Sequence, residues 1–176
     1  ALIAARSAQR MREPERRDRW IESATAVPAV ENARRMTEAE LALEDRRPED
    51  ALAAIADVQV RGTRHIHALR LALRAHEQLG HRPEVLEHVR QLERRNAIEA
   101  PAARVSRVRA LRAMLDGAGD DSETVRRILD EIPAPEREIE EVALAAVRAL
   151  LRAGLHEPAA RIVEQASWFG KEDIFR

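Results

Sequence analysis

Small and apolar residues recur along the chain at helical spacing, and one triplet of them returns at a fixed interval. Ala51, Ile55 and Val58 stand at i, i+4 and i+7, which places them on one face of a helix. The same spacing recurs 34 residues later, because 85 minus 51 is 34, in Val85, Val89 and Leu92. The repeated pattern predicts two similar helices, each burying one face.

Further copies of the triplet extend the repeat to both ends. They are Ala159, Val163 and Ala166; Val125, Leu129 and Ile132; and, with a poor first member, Arg17, Ile21 and Ala24. The interval from Val85 to Val125 is 40, six longer than the others. We expect the extra residues in loops at Ala100–Pro101 and Gly117–Gly119, because Pro and Gly interrupt helices.

A period near 34 with two helices in each unit is typical of tetratricopeptide repeats. Gly80 and Gly154 fit the turn between the paired helices, with a proline in the first turn of the next helix. Arg46 and Arg47 stand in the second unit without a glycine, so that turn matches less well. The predicted fold class is all-α, a tetratricopeptide right-handed superhelix of about ten helices in five hairpins.

The pattern predicts a single array over residues 1–176. Its units cover about 1–28, 32–62, 65–99, 102–133 and 138–168, with 169–176 as a tail or cap. The predicted helices are 1–11, 14–26, 33–45, 49–60, 65–79, 83–95, 102–116, 121–131, 138–153 and 157–168. The aromatic segment Trp168–Phe175 either caps the last hairpin or contacts a partner.

Composition excludes several classes of protein. Aromatic residues are 2% of the chain and Tyr is absent, which argues against an all-β core. The chain has no Cys, so disulfides and thiolate metal sites are excluded. The net charge of −1 gives no overall field to attract nucleic acid. No stretch is a membrane span, and the opening without Met suggests a fragment of a longer protein.

No motif for catalysis or metal binding has the residue spacing that its chemistry requires. His76 and His81 resemble a zinc-protease motif but are five apart rather than four, with Gly80 between them. Gly117 and Gly119 precede two aspartates, which would repel phosphate, and Asp121 or Ser122 is the expected helix N-cap. We therefore predict a protein that is not an enzyme, with no metal and no required cofactor.

Histidines and arginines remain as candidates for binding. The 34-residue frame places five of them on the first helices of the third and fifth units, the face that lines the groove of such arrays: His67, Arg70, Arg74, Arg148 and Arg152. The planar guanidinium group of arginine forms paired hydrogen bonds with carboxylates and phosphates. This face could therefore bind an acidic peptide, a chain terminus or a propionate-bearing ligand. The alternative is a solvated face on which these arginines pair with neighbouring acids.

Two segments resemble a specific family. Residues 37–52 (TEAELALEDRRPEDAL) and 64–80 (RHIHALRLALRAHEQLG) are similar to HemY, the haem-biosynthesis-associated tetratricopeptide proteins of proteobacterial inner membranes. Arg17–Trp20 and Asn32–Arg35 resemble the segment before them. The resemblance implies an N-terminal anchor outside this sequence, a repeat domain that is soluble and faces the cytoplasm, and a role near late haem synthesis.

These observations together predict a non-catalytic scaffold that binds other proteins and not nucleic acid. The resemblance implies that these partner proteins are membrane-associated. The alternative is a carrier that binds haem or a porphyrin through His67 or His76 and the groove arginines. His76 otherwise fills a packing position between paired helices, and His65 stands near a helix cap.

Overall fold

The computed structural model describes residues 1–25, 30–60 and 65–165, and within these ranges it is all-helical, as predicted. Eleven helices lie in the described ranges, and no strand is present there. They are α1 Leu2–Arg10, α2 Pro14–Thr25, α3 Glu31–Glu44, α4 Pro48–Val60, α5 Ile66–Leu79, α6 Arg82–Glu93, α7 Ala100–Gly117, α8 Ser122–Glu131, α9 Ala134–Arg137, α10 Glu140–Arg152 and α11 His156–Gln165.

The ten predicted helices are all present, and their ends lie within two residues of the predicted positions, except that α11 is described only as far as Gln165, three residues before its predicted end. One helix was not predicted. The four-residue α9 precedes α10, where Pro133 ends the extended connection and starts a short helical turn. The predicted tail, like Ala166 of the last triplet, lies outside the described residues.

The chain divides into two compact units, Ala1–Glu99 and Ala100–Arg176. The boundary falls between the third and fourth predicted repeats. Ala100 and Pro101 were expected in a loop there but are the first residues of α7, because proline is compatible with the first turn of a helix. Each unit has its own buried apolar residues.

The first unit consists of three helix pairs, α1 with α2, α3 with α4, and α5 with α6. The first helices of successive pairs also contact one another, α1 with α3 and α3 with α5, while α4 packs on α5. The centre of this packing is rich in alanine, which allows helix axes to approach closely. Its buried members are Ala39, Ala42, Leu43, Ala51, Ile55, Leu71, Ala72 and Ala75.

The repeated triplets form much of the core. Ala51, Ile55 and Val58 are buried in α4, and Val85, Val89 and Leu92 are buried in α6, as predicted. In the second unit, α10 is the central helix and contacts α7, α8, α9 and α11. Val125, Ile132 and Ala159 are buried there, again as predicted.

Three triplet members depart from the prediction. Ile21, Leu129 and Val163 are half-buried instead of buried. Ile128 is buried in place of Leu129, so the buried face of α8 and its C-cap is Val125, Ile128 and Ile132. Leu129 borders a cleft of about 700 Å³ beside α10. Val163 is near the end of α11, which packs chiefly on α10 among the described residues.

The turns between paired helices share one backbone conformation. Residues with positive φ stand at Arg12, Arg46, Gly80 and Gly154, and the first three are spaced by 34. After Arg46, the Arg47 amide donates to the Ala42 carbonyl at 2.8 Å, and after Gly80 the His81 amide donates to the His76 carbonyl at 3.0 Å. The second turn is therefore the same helix-ending motif as the third, despite its missing glycine.

Candidate functional site

The predicted groove residues of the first unit lie on α5, beside α3 and α1. His67 Nε2 is 2.8 Å from Glu40 Oε1, and the other oxygen of Glu40 accepts a hydrogen bond from Arg6 Nη2 at 2.5 Å. Arg6, Glu40 and Arg74 occupy one repeat position, since each is 34 residues from the next. Glu40 thus links the first helices of three successive pairs along one polar surface.

Arg70 and Arg74 differ in what they contact. Arg70 donates from Nε and from Nη2 to the Ala97 carbonyl, at 3.1 and 2.7 Å. This carbonyl lies in the segment that follows α6, so Arg70 ties α5 to the end of the third helix pair. Arg74 is exposed and has no hydrogen bond or ion pair within the described ranges.

The predicted groove residues of the second unit lie on α10. Arg152 Nη2 donates to the Leu115 carbonyl at 3.0 Å and lies 3.9 Å from an Asp116 carboxylate oxygen, both in the last turns of α7. Arg148 is one turn earlier, exposed, and without such a partner among the residues that the structure describes. Since His67, Arg70 and Arg74 belong to the other unit, they form a separate set.

The surface between α7 and α10 has arginines that the sequence pattern did not select. Arg104 is 3.9 Å from Glu141 at one end, and Arg152 is 3.9 Å from Asp116 at the other, so the two helices run parallel. Between these two contacts lie Arg109 and Arg112 of α7 and Arg148 of α10.

All three of these arginines are exposed, and none has an ion-pair partner in the described part of the chain. A shallow groove of about 510 Å³ along α7 is lined by Val105, Val108, Arg109 and Arg112, and Val105 is 56% exposed. The carboxylates of Asp116 and Glu141, which lie 3.9 Å from Arg152 and Arg104, also line this groove. We call Val105, Val108, Arg109, Arg112 and Arg148 the α7–α10 arginine surface. It combines unpaired positive charge with an accessible apolar contact.

The arginines of α7 were missed because the repeat register is interrupted around this helix. The interval from Val85 to Val125 is 40, whereas that from Val125 to Ala159 is 34. The first helix of the fourth unit lies between the two expected insertions, so it could not be placed in the 34-residue frame. A signal was nevertheless present. Arg109 and Arg112 are three apart and therefore share a helical face, on a helix that the sequence did predict.

Three histidines meet where α5 ends and α6 begins. His76 Nδ1 is 3.2 Å from His81 Nδ1, and the ring centres of His76 and His88 are 5.1 Å apart. His76 fills space between the paired helices and His65 is the N-cap of α5, as expected. Burial lowers the pKa of His76, the neighbouring His88 lowers it further, and Glu84 opposes the shift.

Both histidines of the haem-carrier hypothesis have ring partners in this structure, His67 with Glu40 and His76 with His81. Within the described ranges, no set of three or more His, Asp or Glu side chains is arranged to hold a metal ion.

The acidic stretch before α8 starts that helix, as predicted. Asp121 is its N-cap, and its carboxylate accepts hydrogen bonds from the backbone amides of Glu123 and Thr124 at 3.2 and 3.3 Å. The hydrogen bond from the Thr124 hydroxyl, followed by that from the Glu123 amide, lowers the pKa of Asp121. These contacts occupy the carboxylate in helix capping.

Comparison with known proteins identifies no relative of this chain. No family model, no curated protein and no solved structure matches the chain. No helix of the described ranges combines the length and the hydropathy that a bilayer span requires.

Proposed function

We propose that this chain is a non-catalytic protein-interaction domain, and that its α7–α10 arginine surface binds an acidic segment of a partner protein. The observation that carries the proposal is the set Arg109, Arg112 and Arg148, three exposed arginines without an acidic partner in the described part of the chain. They lie between two interhelical ion pairs on parallel helices. Arginine presents a planar fork of donors that matches a carboxylate.

The groove favours a peptide that carries both acidic and apolar side chains. Exposed ion pairs contribute below about 1 kcal/mol each, so several are needed together with apolar burial. Val105 is 56% exposed and Leu151, on α10, is 48% exposed, and either can supply the apolar contact. A partner segment with two or three Glu or Asp residues around one Leu or Phe has this chemistry.

The wider setting of this domain is a proposal that rests on the sequence pattern. The 34-residue period supports a tetratricopeptide superhelix, and residues 37–52 and 64–80 resemble HemY. That resemblance supports a scaffold for late protohaem synthesis, tethered to the bacterial inner membrane by a segment outside this sequence.

Site-specific photo-cross-linking in the intact protein tests the binding surface directly. A photoreactive amino acid replaces Val105 in one variant and Ile3, which is 81% exposed in the other unit, in the second. We expect a partner adduct from position 105 and none of the same mass from position 3. Mass spectrometry of the cross-linked peptide should show acidic residues beside an apolar one.

Charge reversal then tests the role of the arginines. Arg109→Glu, Arg112→Glu and Arg148→Glu together should reduce the adduct at least tenfold, and moderate salt should weaken it in the parent chain. The matched control carries Arg10→Glu, Arg90→Glu and Arg126→Glu, which are exposed and have no ion-pair partner in the described ranges. Equal adduct yield from the two triple variants, both folded by circular dichroism, would refute the proposal.

A further inference from the structure

The turn that ends α5 brings two histidine rings together. Gly80 has φ of 74°, and the His81 amide donates to the His76 carbonyl at 3.0 Å, so the chain folds back over the last turn of α5. As a result His76 Nδ1 and His81 Nδ1 lie 3.2 Å apart, although the residues are five apart in sequence. The glycine that broke the spacing of a helical metal motif is the residue that makes this approach possible.

This separation has a specific chemical meaning. A hydrogen bond between two ring nitrogens requires that one of them offer a lone pair, so at least one of the two imidazoles is neutral. Neutral imidazole nitrogen is the usual histidine ligand of transition metals. Two nitrogens bound at 2.0–2.1 Å to one tetrahedral Zn²⁺ stand about 3.3 Å apart. The Nδ1 atoms of His76 and His81 already lie near this separation.

A third ring is oriented by a backbone contact. His88 Nδ1 lies 2.8 Å from the Glu84 carbonyl, to which it can only donate, so in the neutral ring Nε2 carries the lone pair. A backbone carbonyl that accepts from the second ring nitrogen is the arrangement commonly found behind metal-bound histidine. The His88 ring centre is 5.1 Å from that of His76, which makes His88 the nearest additional imidazole.

We propose that His76 and His81 bind one divalent transition-metal ion, of the class that includes Zn²⁺ and Cu²⁺, through their Nδ1 atoms. Water completes the coordination. This class follows from the ligands, since imidazole suits Zn, Cu and Ni whereas Mg²⁺ and Ca²⁺ prefer oxygen. The ion would link the end of α5 to the turn before α6. The site is independent of the α7–α10 arginine surface, which lies in the other unit.

Metal titration of the untagged, metal-free full chain tests the site. Calorimetry with ZnCl₂ should show one saturable site, and the melting temperature should rise with Zn²⁺ concentration because binding favours the folded state. Electron paramagnetic resonance of the Cu²⁺ complex should report imidazole nitrogen ligands. Each of His76→Ala and His81→Ala should weaken binding at least tenfold, whereas His156→Ala, an exposed histidine in α11, should not change it.

Two results would overturn the proposal. One is the absence of saturable Zn²⁺ and Cu²⁺ binding to the parent chain, and the other is unchanged binding in His81→Ala. His81 is exposed and makes no side-chain capping hydrogen bond to α6, so His81→Ala should fold even if His76→Ala does not. Circular dichroism of each metal-free variant verifies the fold before titration.

Discussion

Arg70 and Arg74 lie one helical turn apart on α5 and carry the same charge, yet their surroundings differ. Arg70 donates two hydrogen bonds to the Ala97 carbonyl, whereas Arg74 is exposed without a partner in the described part of the chain. From the sequence we expected both to belong to one binding face. Arg70 has a structural role because the Ala97 carbonyl, 27 residues away in the sequence, lies within hydrogen-bonding distance of its guanidinium group.

Arg70→Ala should lower the free energy of unfolding by about 1–2 kcal/mol, because a charge-assisted pair of hydrogen bonds to a carbonyl is lost. Arg74→Ala should change it by less than about 0.5 kcal/mol, as exposed substitutions usually do. Urea denaturation of the two variants compares them directly. Equal effects would show that the contact between Arg70 and Ala97 contributes nothing measurable.

Glu31, in the first turn of α3, holds two arginines. Its carboxylate accepts from Arg34 Nη2 at 2.7 Å and from Arg35 Nε at 2.9 Å, and Arg34 is only 8% exposed. The hydrogen bond from Arg34, then that from Arg35, lowers the pKa of Glu31 from 4.5 to about 2. A carboxylate with a lowered pKa stabilises the folded state above its ordinary pKa and loses this contribution as the pH falls.

The parent chain should therefore lose more stability than Glu31→Gln as the pH falls from above 4.5 to about 2, the interval between the two pKa values of Glu31. Melting temperatures measured across this interval test the difference. Glu49→Gln is the control, since Glu49 is an exposed first-turn glutamate of α4 without an ion pair in the described ranges. If Glu31→Gln and Glu49→Gln show the same acid profile, the interaction of Glu31 with its arginines does not persist in solution.

At the scale of elements, the helix pairs end their first helix with the same left-handed residue. Arg12, Arg46 and Gly80 follow one another at intervals of 34, with φ of 58°, 56° and 74°. From the sequence we predicted helix-ending turns at Gly80 and Gly154. We expected the turn at Arg46 to match less well, because a left-handed backbone conformation favours glycine. Packing of α3 against α4 fixes this turn and imposes the conformation on an arginine.

Substitutions of the left-handed residue in the second and third turns should change the free energy of unfolding in opposite directions. Arg46→Gly should raise the free energy of unfolding by about 1 kcal/mol, because glycine relieves the left-handed strain. Gly80→Ala should lower it by about 1 kcal/mol through the backbone, since the nearest atom to a new Cβ, Arg82 Nη2 at 3.3 Å, can move aside.

The control for this pair is Gly117→Ala. Gly117 ends α7 without positive φ and has nothing within 4 Å of a new Cβ. This change should leave stability the same or raise it, because alanine is the better helix former. Chemical denaturation of the three variants gives the comparison, and destabilisation by Arg46→Gly would contradict the strain argument.

At the scale of the whole molecule, the chain divides into two compact units at Glu99 and Ala100. The first unit has three helix pairs and a buried centre shared by α3, α4 and α5. About 100 residues usually suffice for an independent core. The sequence pattern predicts a single array over residues 1–176 and does not report how strongly neighbouring repeats contact each other.

A chain that ends at Glu99 should therefore fold by itself. We expect a helical circular dichroism spectrum and a single cooperative urea transition, because the buried members of α3, α4 and α5 all lie before the boundary. The same chain with Ile55→Ala, which opens a cavity in this centre, should be destabilised by about 2–5 kcal/mol. A truncated chain that unfolds gradually, without a transition, would show that the first unit depends on the second.

The sequence by itself determined the helical class, the helix ends and most of the buried triplets. These features are local, since propensity and spacing act within one or two helical turns. Only the tertiary structure decided that Arg70 reaches Ala97, that His76 meets His81, and that Arg109, Arg112 and Arg148 lie between two interhelical ion pairs. Such contacts depend on turn geometry and on helices distant in sequence, which no single-helix pattern encodes.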